Sequence, residues 1–230
     1  MAYKKIMTDK EFQEKVFDIV NNFNTCYLLG GTGHLITDSI ITSKAKQIPS
    51  WYTSARITAL KKLIGKSYHG FDCVNLIKAV LWGWKDGKQG TYLSNTVPDI
   101  NADNLIKLCE NVSTDMTNIK PMEVIWFSGH VGLYLGDSMC VECTPSLNKV
   151  AITKMSYQGK WCKHGELPWI QRVEEKRVLK LTNPYMRGED VKSLQKLINV
   201  EPDGIYGPDT DQNVREILEM LGRKKRTPMD

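Results

Sequence analysis

The sequence predicts an α+β fold, helices first and antiparallel strands after, followed by a second, small all-α three-helix domain. Three observations carry this. Apolar residues recur at helical spacing through the first part of the chain. The period drops to two from Glu123 onward. Beyond the charged stretch "QRVEEKRVLK" (171–180), helical spacing returns. The expected boundaries are 1–171 for the first domain and 178–223 for the second.

Taken in order, Phe12, Val16, Phe17, Ile19 and Val20 line one side of a helix over residues 8–20. Thr8 caps it, with Glu11 completing a capping box. "NTCYLLGGTGHLIT" follows as a glycine-rich loop with a short strand before it. No Lys-Ser/Thr follows the glycines, so it is not a phosphate loop. Residues 53–65 form a helix that Gly65 ends. In "HGFDCVNLIKAVLWGW", Cys73, Leu76, Ile77, Val80, Leu81 and Trp84 fall on one helical face, with Asp72 as N-cap and Gly83 loosening the far end. "DGKQGTYLSNTVPD" is loop, and "NADNLIKLCENV" is a helix with Leu105, Leu108 and Cys109 inward. "VIWF" and "HVGLYLGD" are strands, broken at Ser128-Gly129 and turned at Gly136-Asp137-Ser138. "CVECT" and "VAITKM" extend the sheet. In the tail, Val191, Leu194, Leu197 and Ile198 mark one helix, and Val214, Ile217, Leu218 and Leu221 another, joined through the Asp-Gly turn of "EPDGIYGPDT".

The composition bounds the function. The chain has 230 residues and a net charge of +5, a mild excess that fits an anionic surface but demands neither a cell wall nor nucleic acid. The basic run Arg223–Arg226 reads as a solvated tail, and no nucleic-acid partner is assigned. No apolar run approaches the ~18 residues of a membrane span, so membrane insertion is not expected. The N-terminus turns amphipathic at once and shows neither the apolar core nor the cleavage site of a secretory signal, which places synthesis in a cytoplasm. Six cysteines without a signal peptide read as free thiols. Cys140, Cys143, Cys162 and His164 are on paper four zinc ligands, but no glycine knuckle flanks the first pair and the second is unusually tight. No metal and no cofactor are expected.

Cys73 is the candidate nucleophile. It sits in the first turn of an apolar helix, where unpaired N–H groups and the helix dipole stabilise a thiolate and are expected to lower the thiol pKa. A cysteine nucleophile needs a base. His130 opens a strand on the face it shares with Gly132, Tyr134 and Gly136, and Gly132 leaves room above its ring. From the residues alone, His69 and the absence of any base remain as alternatives.

"FDCVNL" followed by "GHVGLYLGD" resembles the NlpC/P60 family of cell-wall peptidases, over roughly residues 12–170. The resemblance implies a papain-like outline, with the cysteine helix packed on an antiparallel sheet that carries the histidine. It implies Cys73 as nucleophile, His130 as base, and Glu142, twelve positions on, as the group that orients the ring. The family more often has histidine there, but a carboxylate also holds an imidazolium. Hairpin counting does not secure this contact. A two-residue turn pairs Glu142 with Leu133 on the wrong face, so a bulge or strong twist is required, with Asn148 as the fallback orienter. The resemblance further places Tyr27, from "YLLGGTG", beside the nucleophile, and allows Asp72 to meet a substrate amine besides capping the helix. Val74 replaces the usual serine, which removes a hydroxyl from the substrate pocket that the resemblance implies.

The tail "RGEDVKSLQKLINVEPDGIYGPDT" resembles the small three-helix peptidoglycan-binding module. Together the two resemblances imply a thiol hydrolase of the peptidoglycan stem peptide. The favoured bond joins D-glutamate's side chain to the diamino acid. The muramoyl–alanine amide bond and a non-catalytic wall-binding protein are the rivals. A wall-binding tail without a signal peptide implies a phage lysin, released from the host cytoplasm by a separate membrane-permeabilising protein.

Overall fold

The computed structural model describes residues 3–173 and 178–224, with the backbone alone at 223 and 224. The side chains of Arg223–Arg226 and residues 174–177 of the expected linker lie outside the described residues. The chain divides into two compact units, 1–173 and 174–230.

The first unit is mixed α+β. Its main sheet has six antiparallel strands in the spatial order Glu110–Ser113, Lys163–Glu166, Val124–Phe127, His130–Gly136, Met139–Thr144 and Lys149–Lys154. The cysteine helix, Cys73–Leu81, is buried along its whole length. It shares one apolar core with Phe12, Val16 and Ile19 of the helix Asp9–Asn22 and with Val131, Leu133, Val141 and Cys143 of the sheet. Strand alternation then gives His130 and Gly132 the opposite face from Val131 and Leu133. One charge is buried with the cysteine helix: Lys78 is held by the Asp99 carboxylate and the Ile100 carbonyl.

The first helix is capped as expected, Thr8 accepting from the Glu11 N–H while Glu11 accepts from the Thr8 N–H. Three elements depart from expectation. The helix expected through Val112 ends at Leu108, and Glu110–Ser113 is the edge strand of the main sheet. The glycine-rich stretch holds two strands, Asn24–Tyr27 and Thr32–Leu35, on either side of Tyr68–Phe71 in a second sheet. Gly30, at φ 77°, makes the turn that brings the second strand back. A helix at Asp38–Gln47, capped by the Thr37 hydroxyl, fills a stretch that sequence periodicity leaves blank, because Ile41 is its only fully buried residue.

The second unit holds two helices among the described residues, Glu189–Leu197 and Pro208–Lys224, rather than three. A two-stranded ladder, Met186–Arg187 with Ile205–Tyr206, joins them. Its centre is polar. Gln195, 1% exposed, donates to Asp203 Oδ1, the Ile205 carbonyl and Thr210 Oγ1 and accepts from the Gly204 N–H. Val191 and Tyr206 are buried beside it, but Leu197, Leu218 and Leu221, which mark the helical spacing, are exposed. So small a unit cannot cover every apolar position of its helices.

Candidate active site

Asp72 caps the cysteine helix by accepting from the Asn75 N–H at 2.8 Å. Its other oxygen accepts from Asn75 Nδ2 at 2.6 Å and from the Gly30 N–H at 2.7 Å. Both oxygens of this buried carboxylate are thus engaged within the protein, and the cap ties the glycine turn to the start of the helix.

Cys73 is the first helical residue, and its sulfur adjoins the backbone N–H of Val131, the residue after His130. Its protonation differs from the expected one. Burial first, and the Asp72 carboxylate second, push the thiol up to about 12, and the N–H groups of Val131, Val74 and Cys73 itself offset this only in part. Cys73 is only 7% exposed and the negative charge of its own cap lies close by, and both oppose the helix dipole.

His130 and Glu142 meet. Nε2 of His130 lies 2.7 Å from Glu142 Oε2. The register explains how. Gly136 opposes Met139, but Tyr134 opposes Cys140 and Leu133 opposes Val141, a one-residue shift between Tyr134 and Gly136. The shift moves Glu142 off Leu133 and onto the face of Gly132, where a Cβ on Gly132 would stand 3.5 Å from the Glu142 Cβ. With no side chain at 132 in the way, the carboxylate reaches diagonally to the ring two residues along.

Glu142 is fully buried and satisfied. Thr153 Oγ1 donates to Oε1 at 2.7 Å, and Gln158 Nε2 donates to Oε2 at 2.8 Å. Burial alone raises a carboxyl pKa, but here the hydrogen bonds from His130, Thr153 and Gln158 outweigh it and the net displacement is downward. Thr153 spends its one proton on Glu142, so its contact with Cys140 Sγ at 3.3 Å has the thiol as donor. Phe127 and Trp161 wall the imidazole, with ring centroids 5.1 and 5.6 Å from it. Nothing in the sequence pattern singled out Thr153, Gln158 or Trp161.

Tyr27 ends its strand near Cys73 and Asp72. Burial, and then the neighbouring Cys73 and Asp72, push its hydroxyl far up. It lines a cavity of about 240 Å³ with Trp51, Tyr52, Arg56 and Asn148, in which the Arg56 guanidinium lies 3.7 Å over the Trp51 ring. Asn148 accepts from the Tyr27 N–H with its carbonyl, while the orienting contact to His130 comes from Glu142. His69 is packed among Phe23 and Trp84 with Nδ1 3.2 Å from the Gly33 carbonyl, a core position.

The four candidate zinc ligands do not converge. Cys140 faces Thr153, while Cys143, three residues on and on the other face, donates to the Phe71 carbonyl at 3.2 Å. His164 is held by Glu123 and the Asp115 carbonyl. Among the described residues no cluster of His, Cys, Asp and Glu is arranged to hold a metal ion, and no helix is long and apolar enough to cross a membrane.

No family model matches the sequence, and no curated protein matches it. Among solved structures, the chain is similar to that of the peptidoglycan hydrolase RipB from Mycobacterium tuberculosis, at 21% identity and a TM-score of 0.33. The match covers 47% of this chain and 50% of that one.

Proposed function

We propose that this chain is a cell-wall hydrolase that cleaves an amide bond of the peptidoglycan stem peptide, with Cys73 as nucleophile and His130 as base. The observation that supports it most is the 2.7 Å contact between His130 Nε2 and the fully buried Glu142, at the strand end where the Val131 backbone meets the Cys73 sulfur. With Nε2 engaged, Nδ1 is the nitrogen left to take a proton.

With a thiol pushed up to about 12, the reaction does not begin from a free thiolate. Cys73 gives its proton to His130 as the sulfur attacks the amide carbon. Glu142 stabilises the imidazolium so formed. The N–H groups at the helix start stabilise the oxyanion. The imidazolium then protonates the leaving amine, and the C–N bond breaks to give a thioester. Water, deprotonated by the same ring, releases the acid and restores the thiol. No cofactor is needed. The Tyr27–Trp51–Arg56 cavity offers aromatic surface and a cation for the peptide.

The bond assigned is the D-γ-glutamyl–diamino acid link, cut by an enzyme of the phage-lysin type that is made in a host cytoplasm and reaches the wall through a separate membrane-permeabilising protein. The second unit is assigned to wall binding. Mass spectrometry of muropeptides released from purified walls tests this. Wild type should yield new D-glutamyl carboxyls and free diamino-acid amines, and Cys73→Ala should yield neither. New N-terminal alanine amines would indicate the muramoyl–alanine amidase instead. Equal behaviour of the two proteins would leave only a non-catalytic wall binder.

A further inference from the structure

His130 is the first residue of its strand, and only Ser128 and Gly129 separate it from Phe127, the last residue of the strand before. Phe127 and His130 are the final opposed pair of that hairpin. A hairpin opens most readily at its ends, and this end carries the proposed base. Glu142 fixes the ring, but a ring is placed no better than the backbone that bears it.

That backbone is held from another element. Asp103 lies in the first turn of the helix Ala102–Leu108, which Asn101 caps. Its Oδ1 accepts from the Gly129 N–H at 2.7 Å and from Trp126 Nε1 at 2.9 Å. Gly129 immediately precedes His130. Trp126 opposes Val131, whose N–H adjoins the Cys73 sulfur. One oxygen therefore ties the turn before the imidazole to the strand that faces Val131. Residues opposed across an antiparallel pair share a face, so Trp126 lies with Val131 on the core side and Phe127 lies with His130 on the other. Asp103 grips the hairpin from the core side, and Glu142 grips the ring from the opposite one.

The anchor adds little to stability. Ser128 and Gly129 are exposed, so water can satisfy the Gly129 N–H when the carboxylate is removed. What the carboxylate supplies is position. We infer that Asp103 is a positioning residue, which fixes the Ser128–Gly129 turn and so sets His130 and the Val131 N–H relative to the Cys73 sulfur. The inference deepens the proposed hydrolase and rests on that reading for what His130 does.

Steady-state turnover of a soluble muropeptide by the full chain tests it, with the carbon–proton NMR signals of the His130 ring read alongside. Asp103→Ala should melt within about 4 °C of wild type. It should lose roughly 10- to 100-fold in kcat at unchanged KM, the effect of a misplaced reacting group. Asp103→Asn keeps an oxygen for both donors and should stay within about twofold of wild type. The ring signals should shift in the alanine variant and overlay those of wild type in the asparagine variant. The inference is overturned if Asp103→Ala keeps the wild-type kcat or loses only in KM. It is also overturned if Asp103→Asn is as slow as Asp103→Ala, because charge and not position would then be at work. If wild type and Cys73→Ala leave the muropeptide equally intact, the hydrolase reading fails and the ring signals decide alone: unchanged in Asp103→Ala, they overturn the anchor as well. Hydrogen exchange on wild type needs no variant to fold. The Gly129 N–H should be protected at least about tenfold over the exposed Ser128 N–H, which has no partner among the described residues, and equal protection would show that the anchor is not made.

Discussion

Glu142 offers the sharpest separation of charge from position. Its Oε2 accepts from both His130 and Gln158, and its Oε1 accepts only from the Thr153 hydroxyl. A glutamine at 142 can keep its oxygen at the Oε2 position and satisfy both donors. Its NH2 then faces Thr153, whose hydroxyl can rotate to accept it. Glu142→Gln therefore costs little stability, within about 1 kcal/mol, and removes only the negative charge behind the imidazolium. Glu142→Ala removes the acceptor as well. Thr153 can turn to Cys140 and Gln158 retains Thr144, but His130 loses its buried partner, a cost of about 1–3 kcal/mol. For turnover of a soluble muropeptide, kcat/KM should fall roughly 10- to 100-fold in Glu142→Gln, or about 1.4–2.7 kcal/mol of barrier. Glu142→Ala, with the ring also unfixed, should fall further, toward about 10³-fold. Stability follows the same carboxylate. Its folded pKa is depressed, so its contribution is full above the ordinary carboxyl value and is lost as pH falls through the lower folded value. Denaturant titrations of wild type and Glu142→Gln should converge on acidification below about pH 4. An alanine variant that cleaves at the wild-type rate would refute the assignment of the ring's orienting group.

Three further outcomes are expected. Because the Cys73 thiol is displaced upward to about 12, its carbamidomethylation, followed on its own peptide by mass spectrometry, should accelerate about tenfold per pH unit between 7 and 10; a flat profile would instead indicate a preformed thiolate–imidazolium pair. A Cβ at Gly132 would stand 3.1 Å from Trp161 Cη2 and 3.5 Å from Glu142 Cβ, so Gly132→Val should part His130 from Glu142 and cost about 10²-fold in activity, with Gly132→Ala milder; wild-type turnover in the valine variant would show that the diagonal path over residue 132 is not needed. Gln195→Leu leaves the buried Gly204 N–H unpaired and takes one donor from Asp203, Ile205 and Thr210, and should lower the melting temperature of the second unit while sparing turnover of soluble muropeptides; an unchanged melt would mean that the polar centre does not support that unit.

Much of the first unit was legible because its signals are local. Thr8–Glu11 and Asp72 are capping chemistry, and the switch from helical to alternating period at Glu123 marks where the sheet begins. The strand Thr32–Leu35 was not legible, since its partner Tyr68–Phe71 lies a helical excursion away and glycine carries no strand signal. The Glu142 contact was legible only in part. Counting showed that a shift was required, but its position, between Tyr134 and Gly136, depends on how the turn packs. The displacement of the Cys73 thiol was read with the wrong sign, because desolvation is a property of the assembled core and the dipole a property of one helix. In the second unit, periodicity marked the helices of Leu197, Leu218 and Leu221, but it reports which residues share a face and not whether anything lies against it, and all three are exposed.

A single carboxylate at position 72 clamps two segments that the chain order keeps far apart, the hinge at Gly30 and the opening turn of the cysteine helix. Losing that clamp would therefore loosen more than one end of one helix. The strand end carrying Tyr27 and the sulfur itself would become free to drift relative to each other, so damage at position 72 would read out as lost alignment at two positions away from it.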